Sequence, residues 1–166
     1  MPTDVFRAAD ATIVLATDDT QPGGAAATGL IAQYDMTNAV GRLTNLRISV
    51  ASAVESFYEI GRRYPAALRP GRVSVRGCAD RAMINGALLR LLLGDGSVSP
   101  PSGPAFVQPA FNVLATLREP ARPDSFAKLT VFGAQFDSWS YDLGTDRDFV
   151  MESVTFQAMR LGYEEA

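Results

Sequence analysis

The strongest constraint on the fold of this sequence is a change of hydrophobic period between residues 72 and 93. Small and apolar residues alternate with polar ones from Val73 to Ala79, which is the period of a half-buried strand. The period then becomes helical. Its apolar positions are Ile84, Ala87, Leu88, Leu91 and Leu92. Asn85 can cap this helix and Gly94 can end it, so the segment predicts a strand followed at once by a helix.

The predicted helix is apolar over most of its circumference. Leu89 and Leu93 lie four residues apart beside the main apolar stripe. A helix that is apolar on two sides needs two partners, because each side loses contact with water only when it is covered. We therefore expect Ile84, Leu89 and Leu93 to contact a neighbouring subunit.

The rest of the chain predicts mainly strands. Strand patterns cover residues 11–16, 42–50, 106–118, 125–143 and 149–161, with Gly133 expected to bend the fourth and a turn at 144–148 to join the last two as a hairpin. Two segments predict connections instead: the Gly/Ala-rich stretch after residue 18, including 22–29, and the aromatic stretch 51–70. The fold class is mainly β, an antiparallel β-sandwich or barrel with one flanking α-helix. We expect a single domain over 1–166, with an N-terminal arm or loop region at 1–40.

Charge is distributed unevenly along the chain. Residues 42–90 hold nine arginines against three acidic residues, a local balance of +6, which leaves the remainder at −9 for a total of −3. The two parts either pair within one fold or present complementary faces to other copies. The acidic total argues against a protein that grips nucleic acid by its phosphates.

No pattern in the sequence predicts catalysis. There is no histidine, which removes the usual general base and the commonest transition-metal ligand, and the single Cys78 alternates within a strand like a small packing residue. Asp142, Asp146 and Asp148 surround a Gly-containing turn, but their spacing does not match a calcium loop and a turn explains them equally well. We predict no enzymatic activity, cofactor or metal.

Two further features concern binding. Trp139 lies between Phe136 and Tyr141, a group that either packs the hairpin or stacks on a base or sugar. No apolar run reaches the roughly 20 residues of a membrane-spanning helix, and the leading MPTDVFRAAD lacks the basic and apolar regions of a signal peptide. We therefore expect no membrane association.

The order of these segments resembles that of the tail tube proteins of tailed bacteriophages. The similar stretches are GRLTNLRISVAS, FYEIGRRYPAALRPGRVSVRG, INGALLRLLLG and the closing DFVMESVTFQAMRL, which together cover somewhat under half of the chain. The resemblance implies a structural virion protein that forms hexameric rings. These rings would stack, as in contractile injection tubes, around a lumen that DNA crosses without specific binding.

The resemblance also implies partners and contact residues. The main partner would be the chain itself, with sheath, baseplate and terminator proteins beside it, in a phage tail assembled in the host cytoplasm. We expect ring stacking through the loop at 57–69, with Tyr58, Arg62, Arg63 and Tyr64 as contacts. Two alternatives remain open: another tail component, such as a tube initiator or terminator, or a small β-barrel that binds a ligand through Trp139 and Tyr141.

Overall fold

A computed structural model describes residues 6–17, 20–36, 43–82, 85–97, 107–144 and 149–166. The strands in these ranges are β1 (Ala11–Thr17), β2 (Leu43–Phe57), β3 (Ala67–Ala82), β4 (Phe111–Glu119), β5 (Arg122–Asp142), β6 (Met151–Ala158) and β7 (Arg160–Glu165). The α-helices are α1 (Gly24–Gln33) and α2 (Ala87–Leu93), and short 3-10 turns cover Ala8–Asp10 and Gly94–Ser97.

All strand pairings in the described chain are antiparallel, in the order β1-β4-β5-β6-β3-β2, with β7 also paired to β5. The sheet has two halves, one with β1, β4 and β7 and the other with β2, β3 and β6, and β5 belongs to both. The first part of β5 pairs with β4 and β7, and its second part pairs with β6. The sheet curls into a half-barrel, so the predicted mainly antiparallel fold is confirmed.

The predicted bend at Gly133 lies where β5 passes from one half of the sheet to the other. Gly133 has a φ of +63°, a left-handed conformation that glycine adopts without steric cost. Its N–H donates to the side-chain oxygen of Asn112 at 3.0 Å. The strand predicted over 149–161 breaks at the same level into β6 and β7. Met159 lies between them, and its backbone N–H donates to the carbonyl of Phe132.

The core lies between the two halves of the curled sheet. Three rings meet at its centre: Phe136 lies 4.9 Å from Phe111 and 6.5 Å from Phe156, measured between ring centroids. Ala87, Leu88 and Leu91 of α2 are buried against this core, which confirms the predicted helix and the inward position of these three residues. Gly94 ends α2 as predicted, and the side-chain oxygen of Asn85 accepts the N–H of Ala87 at 3.2 Å.

A second helix, α1, occupies part of the segment that the sequence predicted to be a Gly/Ala-rich loop. Ala27 and Ile31 are fully buried, so tertiary packing stabilises this helix despite Gly29 in its interior. Gly23 allows the close approach, since a Cβ on it would lie 1.9 Å from the carbonyl oxygen of Gln108. The prediction of a single helix was therefore wrong.

The connection predicted over residues 51–70 was also wrong. Strand β2 continues to Phe57 and β3 begins at Ala67, so only residues 58–66 form the turn. Pro70 and Gly71 resemble strand breakers in the sequence, but they lie at a bulge where the register between β2 and β3 shifts. The backbone at this bulge requires glycine at position 71, because a Cβ there would lie 1.9 Å from the carbonyl oxygen of Ala53.

Candidate assembly surfaces

Among the described residues, the most exposed feature is the outer part of the β2–β3 hairpin, residues 49–74, which we call the arm. Every residue of the arm is exposed. Strand β6 pairs with β3 only from Val75 inward, so the arm extends beyond the body as two strands alone. A two-stranded hairpin is at best marginally stable in water, so the arm needs a further contact to be well held.

The arm has one apolar and one charged face, because paired residues on adjacent strands share a face. The apolar face continues the core-facing side of β2 and β3. Its large side chains are Val50, Val54, Leu68 and Val73, which are 53%, 57%, 63% and 67% exposed. The other face pairs Glu55 with Arg69, whose guanidinium lies 6.0 Å from the centre of the Phe57 ring.

The turn at the end of the arm holds four of the predicted contact residues. Tyr58 and Tyr64 are 59% and 82% exposed, and Arg62 forms an ion pair with Glu59 at 3.2 Å. Arg63 lies beside them in the exposed turn. These four residues therefore lie together at the end of the arm.

The other predicted contacts lie on α2 or just before it. Leu93 is 38% exposed and Leu89 is half-buried, while Ile84 lies outside the described residues. Helix α2 packs against β5 and α1, whereas the turn of the arm lies at the end of an exposed hairpin. The predicted contacts thus belong to two separate surfaces.

A third surface is the polar face of the four strands β2, β3, β6 and β5. Ser153 donates to Asp80 at 2.5 Å and Asn45 donates to the same carboxylate at 3.1 Å. These hydrogen bonds, Ser153 first, hold the pKa of Asp80 below its ordinary value of 3.8. The face is a hydrogen-bonded lattice that keeps its carboxylates ionised.

The same lattice continues across β5 and β6. Thr155 and Gln157 both donate to Asp137, and the pKa of Asp137 is lowered chiefly by the Thr155 hydrogen bond, with a smaller effect from the charge of Arg76. Arg47 and the half-buried Cys78 line the same shallow depression as Arg76. The face therefore carries charges of both signs.

Sequence reasoning missed a buried ion pair beneath α2. Arg81 and Glu152 are paired with side chains only 3% and 0% exposed. The second oxygen of Glu152 accepts the indole N–H of Trp139 at 2.8 Å, and Arg81 also donates to the side-chain oxygen of Asn85 at 3.2 Å. One signal was available, since Glu152 shares the inward face of its strand with Val154 and Phe156.

This network bears on the predicted ligand site. Trp139 and Tyr141 do lie together, with ring centroids 4.8 Å apart, but the only polar atom of the indole is already bonded to Glu152. Phe136 belongs to the core and not to this pair. The geometry favours the packing alternative for Trp139.

The described residues hold no group of three or more His, Cys, Asp or Glu side chains able to bind a metal ion. Asp146 and Asp148 lie outside these residues, as does most of the predicted turn around them. Neither of the two helices in the described ranges is long and apolar enough to cross a membrane.

Comparison with known proteins identifies the fold. No protein-family model matches the sequence. No curated protein matches it either. Solved structures do match in shape. A chain of the SPP1 tail tube superposes with a TM-score of 0.59 at 13% identity, covering 98% of this chain and 80% of that one.

Two contractile systems give similar results. The tube-terminating cap of the anti-feeding prophage has a TM-score of 0.67 at 10% identity, covering 100% of this chain and 95% of the other. A chain of the sheath-tube complex of an extracellular contractile injection system, PVC, has a TM-score of 0.58 at 10% identity, covering 98% and 93%. The chain therefore has the fold of tail tube proteins, as the sequence resemblance predicted.

Proposed function

We propose that this chain is a structural subunit of a phage tail or of a related injection tube, with no enzymatic activity. Six copies form a ring, rings stack into a tube, and DNA passes through the lumen without specific binding. The shared fold supports this proposal, and the single observation that carries it is the arm. A two-stranded, fully exposed, amphipathic arm suits a subunit that completes its fold on a neighbour.

The free edges of the polar sheet suggest how a ring would close. In the described chain, β2 pairs only with β3, and residues 138–141 of β5 pair only with β6. These two edges lie on opposite sides of the four-stranded sheet, so β2 of one copy can pair with β5 of the next. Such pairing closes the sheet and removes edges that would otherwise invite aggregation.

The shape of the subunit supports a position for the lumen. The core, strands β1, β4 and β7, and both helices lie on one side of the four strands β2, β3, β6 and β5. The polar face lies on the other side. In a ring, the bulkier side takes the larger outer circumference, so the polar face lines the channel. Its hydrogen-bonded Asp, Ser and Gln side chains, with Arg76 near Asp137, keep the wall hydrated and of mixed charge, which favours passage of DNA over capture.

We propose roles for the remaining surfaces from their position and exposure. Tyr58, Arg62, Arg63 and Tyr64 contact the adjacent ring, because they lie at the end of the arm. Leu89 and Leu93 contact a neighbour within the ring, since α2 leaves part of its apolar surface uncovered. Ile84 belongs to the same proposed contact. Sheath, baseplate and terminator proteins are further partners of the assembled tube.

A tube terminator is a second candidate, which the match along the full chain to the anti-feeding prophage cap favours. The two functions differ in what the purified chain does alone. A tube subunit forms rings that continue to stack as concentration rises, whereas a terminator stops at a ring.

Light scattering and native mass spectrometry over a concentration series test the proposal. We expect a species of six copies that grows into larger multiples of six as concentration rises. A chain that remains monomeric at high concentration would contradict the proposed assembly, and a hexamer that never grows would favour the terminator.

A further inference from the structure

We propose that the apolar face of the arm of one copy covers the open end of the sandwich core of a second copy. The inference rests on the proposed self-assembly, and it adds the receptor for the arm. Both surfaces are present on every copy, and the described residues of one copy do not bring them together.

The receptor is a groove of about 400 Å³ at one end of the half-barrel. Ile13, Ala115, Leu129 and Tyr163 form one of its walls and lie in one row across β1, β4, β5 and β7. The next row inward, Leu15, Val113 and Val131, is buried. The groove is thus a continuation of the core that no described residue covers.

The opposite wall explains why a copy cannot fill its own groove. Leu46 and Ile48 of β2 form that wall, and the same face of β2 continues directly into Val50 and Val54 of the arm. The arm leaves along the wall itself, and none of its residues lines the groove. None of the described residues of the same copy covers this apolar face, so we assign its cover to another molecule.

Size and chemistry favour a second copy as that molecule. Five exposed apolar residues lie side by side on this face of the arm: Val50, Val54, Leu68, Pro70 and Val73. A contiguous exposed apolar patch of this kind marks a protein–protein contact. The apolar face of the arm carries aliphatic side chains and Pro70, which suit a groove walled by Ile, Leu and Ala. A heterologous contact of this kind joins each copy to the next, so it propagates through an assembly.

The rim of the groove also suits the charge of the arm. The hydroxyl of Tyr163 donates to the carboxylate of Glu165 at 3.0 Å, so an acidic group lies beside the groove. Among the ionised side chains of the arm, Arg62, Arg63, Arg69 and Arg72 outnumber Glu55 and Glu59. The arm therefore approaches an acidic rim with a net positive charge.

Cysteine crosslinking between two separately purified full-length proteins tests the contact. Both carry Cys78→Ser; one adds Val54→Cys on the apolar face of the arm, and the other adds Tyr163→Cys on the groove. Both positions are exposed, at 57% each, so neither change disturbs the core. Mixing under mild oxidation should give a disulfide-linked heterodimer in high yield.

Neighbouring residues supply matched controls. Glu55 lies on the opposite face of the arm and Glu164 points away from the groove, where it pairs with Lys128. Replacing Val54→Cys by Glu55→Cys, or Tyr163→Cys by Glu164→Cys, should lower the yield at least tenfold. Equal yields in these controls would overturn the inference, because they would mean collision without a defined contact.

The remaining outcomes separate this inference from the proposed function. Rings that form while Val54→Cys crosslinks mainly to itself would show arms paired with arms. Rings without any crosslink would place both surfaces elsewhere. Either result would overturn the groove as receptor and leave self-assembly intact. A mixture that stays monomeric and uncrosslinked would overturn both.

Discussion

At the scale of single residues, the Arg81–Glu152 pair is the feature with the largest expected effect on stability. Both side chains are buried, and their hydrogen bonds join β3, β5 and β6 to the start of α2. Removing one partner of a buried pair leaves an uncompensated charge away from water. The pair therefore fixes the position of α2 on the sheet.

We predict that Glu152→Gln lowers the free energy of unfolding by about 3–5 kcal/mol, because Arg81 stays buried without its counter-charge. Urea denaturation followed by far-UV circular dichroism measures this. The control is Glu164→Gln, which removes the exposed partner of Lys128 at 3.9 Å and should cost about 0–1 kcal/mol. Equal effects at the two sites would contradict the role of burial.

The lowered pKa of Asp80 predicts how the stability of the fold depends on pH. Its pKa is lower in the folded protein than its ordinary value, chiefly through Ser153, so the carboxylate stabilises the fold above the unfolded pKa. That contribution is lost as the pH falls through the folded pKa, which lies below 3.8. We expect Asp80→Asn to be less stable than the unchanged protein at pH 7, with the difference shrinking toward pH 3.

Urea midpoints at several pH values measure this convergence. Ser153→Ala removes the first of the two donors to Asp80 and should weaken the same pH dependence without removing the carboxylate. If Asp80→Asn and the unchanged protein kept a constant difference from pH 7 to pH 3, the polar lattice would not hold Asp80 in its ionised form.

At the scale of elements, the sequence predicted what local pattern determines and missed what tertiary contact determines. Helix α2 was found because its apolar spacing, Asn85 and Gly94 all agree. Helix α1 was missed because its signal is the burial of Ala27 and Ile31 under other elements, which no local pattern encodes. The arm was missed because a bulge at Gly71 interrupts an otherwise regular alternation.

The candidate contacts show the same division. Tyr58, Arg62, Arg63 and Tyr64 were predicted from the resemblance and the loop at 57–69. They share one exposed turn because the hairpin brings residues 58–66 to its end. The groove that we assign to the arm could not have been predicted, since β1, β2, β4, β5 and β7 form it together. Such residues can be placed on one surface only when the strand order is known.

The turn of the arm yields a prediction at this scale. We expect Arg62→Glu with Arg63→Glu to block stacking of rings while leaving circular dichroism and thermal unfolding unchanged, because the turn is exposed and outside the core. Sedimentation velocity measures the loss of large species. Arg62→Lys with Arg63→Lys keeps both charges and should stack, whereas normal stacking of the glutamate variant would exclude these arginines from the contact.

At the scale of the whole molecule, the uneven charge along the chain corresponds to separate regions of the structure. Arg62, Arg63, Arg69 and Arg72 of the basic segment lie on the arm, away from the body. The acidic remainder includes Glu164 and Glu165 on β7, beside the groove and outside the arm. This arrangement favours head-to-tail association of identical copies over pairing of the two charges within one copy.

The central claim is that the chain assembles into a hollow tube, and negative-stain electron microscopy of the concentrated, purified protein tests it most directly. We predict rings with sixfold symmetry and an open centre, seen end-on, together with side views of stacked rings. A field of monomer-sized particles at the same concentration, without rings or tubes, would contradict the account.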